Sequence, residues 1–114
     1  MNREAIIFEI RKLQEQLEII ERNGLKNIIN NYLWTDISDP CRKHDYVLGR
    51  QMYCYIRRLE NVPFKNIGNE IREGYDHSSV IHSIKEFEYR LQFNKQIKKQ
   101  YEEVLKIYNK KKEQ

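Results

Sequence analysis

The chain has 114 residues, of which 39% are hydrophobic and 33% charged, and this length suits one hydrophobic core rather than two. The net charge of +4 is unevenly distributed, because residues 1–40 carry five Lys/Arg against seven Asp/Glu and residues 41–114 carry sixteen against ten. The sequence has no apolar run of membrane-spanning length, no secretory leader pattern and only two cysteines, so we expect a cytoplasmic protein with free thiols.

Residues 1–40 are predicted to form a helical extension. Over residues 3–22 an apolar residue recurs every three or four positions, as in the a/d seam of a coiled coil. The seam consists of Ile6, Ile10, Leu13, Leu17 and Ile20. Gly24 is expected to end this helix, and residues 25–34 are expected to form a second one. Because such a seam needs burial, its candidate partners are a second copy of the chain, giving a homodimer through residues 3–22, or the chain's own basic half.

Further helices are predicted after a break at residues 35–40, and residues 41–114 are predicted to form the main domain. The expected ranges are 41–59, 64–72, 77–92 and a last helix from about residue 95. Asp39, Asp76 and Asn94 are the expected N-caps, because their side chains can accept a hydrogen bond from the first helical turn. No window alternates strictly enough to predict a strand, so the predicted class is all-α.

The apolar spacing also predicts which helix positions face the core. Over 41–59 these are Val47, Leu48, Met52, Tyr55, Ile56 and Leu59. Over 77–92 they are Val80, Ile81, Ile84, Phe87, Glu88 and Leu91. Gly49 lies inside the first of these helices, where it is expected to cost about 1 kcal/mol relative to alanine.

Residues 64–92 have the order helix, short turn, helix, which is typical of a helix-turn-helix unit. Gly68 in the first helix allows two helices to approach closely. The second helix opens with short polar side chains, which can hydrogen-bond base edges in the major groove of DNA. The pattern favours double-stranded DNA as the partner. The basic charge of residues 41–114 agrees with a polyanion, although a solvated lysine-rich surface has the same composition.

The run Gly-Tyr-Asp-His-Ser-Ser-Val-Ile-His-Ser over residues 74–83 resembles the signature of the DNA-binding domain of the bacterial replication initiator DnaA. Ile67 and Gly68 match the Ile-Gly of the preceding helix in that family, and residues 42–43 and 50–52 match its basic pair and its Arg-Gln-Met stretch. The resemblance covers about residues 41–108 and leaves out the initiator's nucleotide-binding module. It implies a stand-alone helix-turn-helix domain that binds specific DNA sequences in replication or its control, in a bacterium or on a phage or plasmid.

By this resemblance, Asp76, His77 and Ser78 read bases in the major groove, and Ser79 contacts a phosphate or a base edge. Apart from the resemblance, Asp76 is a helix cap and the other three are ordinary residues of a first helical turn. Base reading by Asp76 would be additional to its capping role.

The resemblance implies a second contact region before the first helix of the main domain. There Arg42 would reach into the minor groove, and Lys43 would lie over phosphates. Arginines at helix ends are also common as solvated residues, and this alternative stays open for Arg42.

The chain departs from the family pattern at Tyr75, where the family has Arg or Lys, and in the stretch from Gly68 to Asp76, which is one residue longer. Ser78 also lacks the methyl group that a threonine could place against a thymine methyl. These departures favour an alternative function, a protein-interaction module on the same fold that no longer reads DNA. The seam over residues 3–22 would then supply a partner surface.

No metal site, cofactor or catalytic site is predicted. Cys41 and His44 form one closely spaced pair, whereas zinc sites usually have two. Cys54 has no base near it in sequence and is expected to act as a buried small hydrophobe. The sequence therefore predicts a binding protein and not an enzyme.

Overall fold

The computed structural model describes residues 24–112, and most of them are helical. Helix α1 covers residues 24–33 of this range, and α2 (His44–Leu59), α3 (Phe64–Ile71), α4 (His77–Phe93) and α5 (Lys95–Lys112) follow. No strand occurs in residues 24–112, in agreement with the predicted all-α class. The predicted helix over residues 3–22 and the homodimer through it lie outside the described residues, and the division at Pro40 stays a prediction.

Helix α1 packs into the same core as the later helices. Gly24 is the first described residue and is helical, and the prediction that it ends the helix over residues 3–22 concerns residues outside the described range. Lys26 donates hydrogen bonds to the carbonyls of Glu70 (2.8 Å) and Ile71 (3.3 Å) at the end of α3, where a cation also suits the helix dipole. The Tyr32 hydroxyl donates to a carboxylate oxygen of Glu103 on α5. Side chains of α1 therefore reach both α3 and α5.

At Gly49, α2 packs against α1 and against the segment that follows α1. A Cβ atom at this position would lie 2.7 Å from Cγ2 of Ile37, 3.2 Å from Cγ2 of Ile29 and 3.3 Å from Cδ1 of Leu33. Local propensity makes this glycine a weak position in a helix, but the structure gives it a packing role, because only a hydrogen fits against these side chains.

Helix α2 runs through the middle of the fold. Every residue from Leu48 to Cys54 is buried, so the helix has protein on all sides there. Three rings from different helices, Tyr55 of α2, Phe87 of α4 and Tyr101 of α5, lie with their centroids 5.3 to 5.6 Å apart in tilted or edge-on pairs. Such pairs stabilise a core beyond the area they bury.

Two predicted core positions are wrong. Leu59 is 60% exposed, since it lies in the last turn of α2 beyond the packed stretch. Glu88 is exposed and Ser83 is buried instead, because the buried face of α4 runs along positions i, i+3, i+4 and i+7 from Val80. Cys54 is fully buried, as predicted.

A charge cluster centred on the buried pair Arg57 and Glu70, the buried charge cluster, joins α2, α3 and α5. It consists of Arg57, Glu60, Glu70 and Lys112, with the hydroxyls of Tyr53 and Tyr108. Arg57 holds Glu70 with two hydrogen bonds, from Nε (3.1 Å) and Nη2 (2.8 Å), and contacts Glu60 at 3.2 Å. Burial alone would lower the pKa of Arg57, but Glu70 outweighs it and the pKa lies above its ordinary value. Each charge in this cluster has an opposite charge beside it.

Candidate functional site

The turn between α3 and α4 is formed by residues 72–76. Gly74 has a φ of 86°, which favours glycine, and the Tyr75 N–H donates to the Arg72 carbonyl at 3.3 Å. A Cβ atom on Gly68 would lie 2.1 Å from the Tyr75 carbonyl oxygen. Gly68 therefore allows the backbone of the turn to lie directly on α3, and this contact places the start of α4. The predicted turn at residues 73–75 is confirmed.

Asp76 caps α4, as predicted. Its Oδ1 accepts a hydrogen bond from the Ser79 N–H at 2.8 Å. That hydrogen bond lowers the pKa of the Asp76 carboxyl below its ordinary value, so the side chain is an anion at neutral pH. Asp76, His77 and Ser78 are exposed, and Ser79 is half-buried. The first turn of α4 thus presents hydrogen-bonding side chains at the surface.

Arg50 holds the segment before α2 in place. Its side chain is buried, and it donates from Nη1 to the Asp39 carbonyl (2.7 Å) and from Nη2 to the Cys41 carbonyl (2.6 Å). Asp39 does not cap α2 as predicted, because its Oδ1 accepts instead from the Cys41 N–H. Helix α2 consequently begins at His44 rather than at Cys41.

A groove of about 710 Å³ lies between this segment and the start of α4. Four of the six predicted site residues line it, namely Arg42, Asp76, Ser78 and Ser79. The other two, Lys43 and His77, do not line the groove, although both are exposed and adjacent in sequence to residues that do. The structure therefore brings together two predicted contact regions that lie more than 30 residues apart in the sequence.

Sequence reasoning missed Arg72, which also lines the groove. Its guanidinium carbon lies 5.1 Å from the centroid of the Tyr75 ring, and its Nη1 is buried without a hydrogen-bond partner. The Tyr75 hydroxyl in turn lies 3.1 Å from the Ser83 Oγ. The available signal was the extra residue between Gly68 and Asp76, which lengthens the turn.

Gln51 is a second missed residue. It is 3% exposed and lines the groove, and its Oε1 has no hydrogen-bond partner. Its Nε2 lies 3.4 Å from a carboxylate oxygen of Glu86. The sequence places it in the Arg-Gln-Met stretch that carries the resemblance, but its burial follows from the packing of α2.

Arg42 and Arg72 at the groove, and Lys43 beside it, have no anionic partner among residues 24–112. No carboxylate of the described residues lies within 4.0 Å of the charged nitrogens of Arg42, Lys43 or Arg72. These charges therefore remain available to a ligand, in contrast to those of the buried charge cluster.

Metal ligands, thiols and apolar helices are the other features of residues 24–112 that bear on function. Within residues 24–112, no group of three His, Cys, Asp or Glu side chains is placed to hold a metal ion. Cys41 and Cys54 are free, and burial raises the pKa of the Cys54 thiol to about 12, so this thiol is protonated at neutral pH. Over the same range, no helix has the length and hydropathy required to cross a membrane.

Comparisons of the chain with protein-family models, with curated proteins and with solved structures find no match. Residues 24–112 are all-α and form a groove at which Arg42 and Arg72 have no carboxylate partner among these residues. Its function is therefore inferred from the groove itself.

Proposed function

We propose that the protein binds specific sequences of double-stranded DNA, with α3, the turn and α4 acting as a helix-turn-helix unit. The observation that carries the proposal is the groove, where Arg42 lies opposite the exposed start of α4 and has no carboxylate partner. A cationic edge beside a helix start with short polar side chains fits a ligand that offers both phosphates and base edges.

In this proposal the first turn of α4 enters the major groove. The Asp76 carboxylate accepts a hydrogen bond from the exocyclic amine of a cytosine, and His77 and Ser78 donate to or accept from neighbouring base edges. The Ser79 N–H is already bound to Asp76, so Ser79 contacts the DNA through its hydroxyl. Base contacts of this kind supply sequence preference.

The segment before α2 makes the second contact. Arg42 enters the adjacent minor groove, where narrow A·T-rich stretches attract arginine, and Lys43 pairs with phosphates. Arg50 contributes indirectly, because its hydrogen bonds to the carbonyls of Asp39 and Cys41 hold this segment beside the groove. These contacts supply affinity and orientation rather than most of the sequence preference.

We propose that this activity serves replication or its control, on a bacterial chromosome, a phage or a plasmid, and the resemblance of residues 41–108 to the DNA-binding domain of DnaA supports this setting. Two uses fit such a domain: competition with the initiator for its sites, and marking of an origin on a mobile element. The turn of residues 72–76 is longer than the three or four residues usual in a helix-turn-helix unit. The DNA sequence that the protein prefers is therefore expected to differ from that of the initiator.

Exposed aromatic side chains favour the alternative function, a protein-interaction module. Tyr89 and Phe93 on α4 are 65% and 70% exposed, and their ring centroids lie 4.7 Å apart. Trp34 at the end of α1 is 91% exposed. Aromatic residues of this type are enriched where proteins contact one another.

The deciding experiment selects a preferred duplex from a random pool and measures binding to it and to random DNA at several salt concentrations. His77→Ala should weaken binding to the preferred site by about 1–3 kcal/mol and relax base choice at one position. Lys43→Ala should weaken binding to all sequences and reduce the salt slope by about 1. Lys106→Ala is the control, since this exposed lysine of α5 does not line the groove.

If the wild-type protein selects no sequence and binds duplex DNA no better than a neutral protein does, DNA binding is wrong and the protein-interaction alternative takes its place. If it binds DNA but both variants match the control, the DNA-binding surface lies elsewhere on the protein.

A further inference from the structure

We propose that Arg72 binds a backbone phosphate of duplex DNA and that Tyr75 positions it, an inference that rests on the proposed function. Arg72 follows directly after α3 and lines the same groove as Arg42, Ser78 and Ser79. The groove thus has a cation at the turn as well as one before α2. A phosphate that lies over the start of α4 would meet a positive charge from the turn side.

Among residues 24–112, Arg72 has no anionic partner that would compete with a phosphate. Its Nη1 is buried without a hydrogen-bond partner, and no described carboxylate lies within 4.0 Å of its guanidinium. A buried N–H donor without an acceptor costs free energy. Rotation of the guanidinium toward a phosphate would satisfy that donor, and Arg and phosphate groups form planar bidentate pairs.

Tyr75 supplies the surface on which the guanidinium rests. The Arg72 guanidinium carbon lies 5.1 Å from the centroid of the ring, within the range of a cation–π contact. The ring is itself held, because its hydroxyl lies 3.1 Å from the buried Ser83 Oγ of α4 and its carbonyl lies against Gly68 of α3. The side chain of Tyr75 thus reduces the conformational freedom that Arg72 would otherwise lose on binding.

This arrangement gives Tyr75 a function in the DNA-binding site. A tyrosine at the turn carries no charge, but it orients the charge of a residue three positions earlier in the chain. The departure at Tyr75 that favoured a protein-interaction module is therefore compatible with DNA binding.

The test measures the salt dependence of binding to the selected duplex and to random duplex DNA. Arg72→Gln should lower the salt slope by about 1 on both, because one phosphate contact is lost. A fourfold rise in salt should consequently weaken binding of the variant about fourfold less than it weakens binding of the wild type. Lys106→Gln, which removes an exposed lysine of α5, should keep the wild-type slope.

The role of Tyr75 is tested by a double-mutant cycle. Tyr75→Leu should lower the slope in the wild-type background but leave it unchanged in the Arg72→Gln background, whereas Tyr75→Phe, which keeps the ring, should retain most of the slope. Thermal unfolding of each variant identifies those that fail to fold. If Tyr75→Leu does not fold, the salt slope of Arg72→Gln still tests the phosphate contact. If Tyr75→Leu lowers the salt slope in the Arg72→Gln background as much as it does in the wild-type background, the positioning role is overturned.

Titration with inorganic phosphate distinguishes a DNA contact from a site for the free anion. We expect the NMR resonance of the Arg72 Nε–H to shift on addition of duplex DNA, with little response to millimolar phosphate at constant ionic strength. A strong response to phosphate together with an unchanged DNA salt slope in Arg72→Gln would overturn the proposal.

If His77→Ala and Lys43→Ala behave as expected and Arg72→Gln does not, this inference fails while the proposed function stands. If the wild type binds no DNA, both fail.

Discussion

The buried charge cluster and the groove contain similar cations in opposite situations. In the cluster, Arg57 and Lys112 lie 2.8 Å and 2.5 Å from carboxylate oxygens of Glu70 and Glu60. Arg42 and Arg72 at the groove and the adjacent Lys43 have no carboxylate within 4.0 Å among residues 24–112. The difference shows that a count of basic residues does not identify a binding surface, because some of the cations are already used to hold helices together.

The largest expected effect comes from breaking the cluster. Glu70→Gln leaves the Arg57 guanidinium buried without its bidentate partner, and both side chains of this pair are only 8% exposed. We expect the free energy of unfolding, measured by urea denaturation, to fall by about 3–5 kcal/mol. Arg42→Gln at the groove should change it by less than about 0.5 kcal/mol. Equal losses in the two variants would contradict the distinction between paired and unpaired cations.

A second prediction concerns a substitution that distorts the groove and leaves the buried charge cluster unchanged. Gly68→Ala places a Cβ atom against the backbone of Tyr75, which must move, and should lower the free energy of unfolding by about 1–3 kcal/mol. DNA binding should fall further than stability alone requires, because the start of α4 is displaced. Gly24→Ala is the matched control, since no side chain of residues 24–112 lies within 4 Å of the position of its Cβ atom, and it should stabilise the protein by up to about 1 kcal/mol.

A third prediction separates the two roles of Asp76. Asparagine is also a good N-cap, so Asp76→Asn should leave the thermal midpoint close to that of the wild type, whereas Asp76→Ala should lower it. If Asp76 reads a base, Asp76→Asn should nevertheless change the selected sequence at one position from cytosine toward adenine. An unchanged selected sequence in Asp76→Asn would leave this residue with the capping role alone.

The smallest expected effect is the pH-dependent contribution of Glu60 to stability, at the more exposed end of the buried charge cluster. Burial raises the pKa of Glu60, but hydrogen bonds from Lys112 and Tyr108 outweigh burial and bring the pKa below its ordinary value of 4.5. A carboxyl with a lowered pKa in the folded state stabilises the protein above its ordinary pKa, and this contribution is lost as the pH falls through the folded value. Urea denaturation should therefore show the stability advantage of the wild type over Glu60→Gln shrinking as the pH is lowered below about 4.5. A constant difference from pH 7 to pH 3 would contradict this assignment.

Local features of the main helices could be predicted from the sequence. The starts of α3 and α4, the Asp76 cap and the turn at residues 73–75 agree with the structure, and the Ile97 N–H donates to the predicted cap Asn94 at 3.1 Å. Each of these features depends on hydrogen bonds between residues only a few positions apart. The predicted start of α2 is too early, because Arg50, more than one helical turn into α2, binds the carbonyls of the preceding segment.

The sequence by itself determined the all-α class and most helix boundaries, because helical periodicity and capping are local properties of the chain. Only the tertiary structure decided that Gly49 and Gly68 are close-packing positions and that Arg50 and Gln51 are buried. It also decided that Arg57 is paired while Arg42 and Arg72 are not. The physical reason is that burial and ion pairing depend on which distant element packs against a residue, and spacing along one helix does not contain that information.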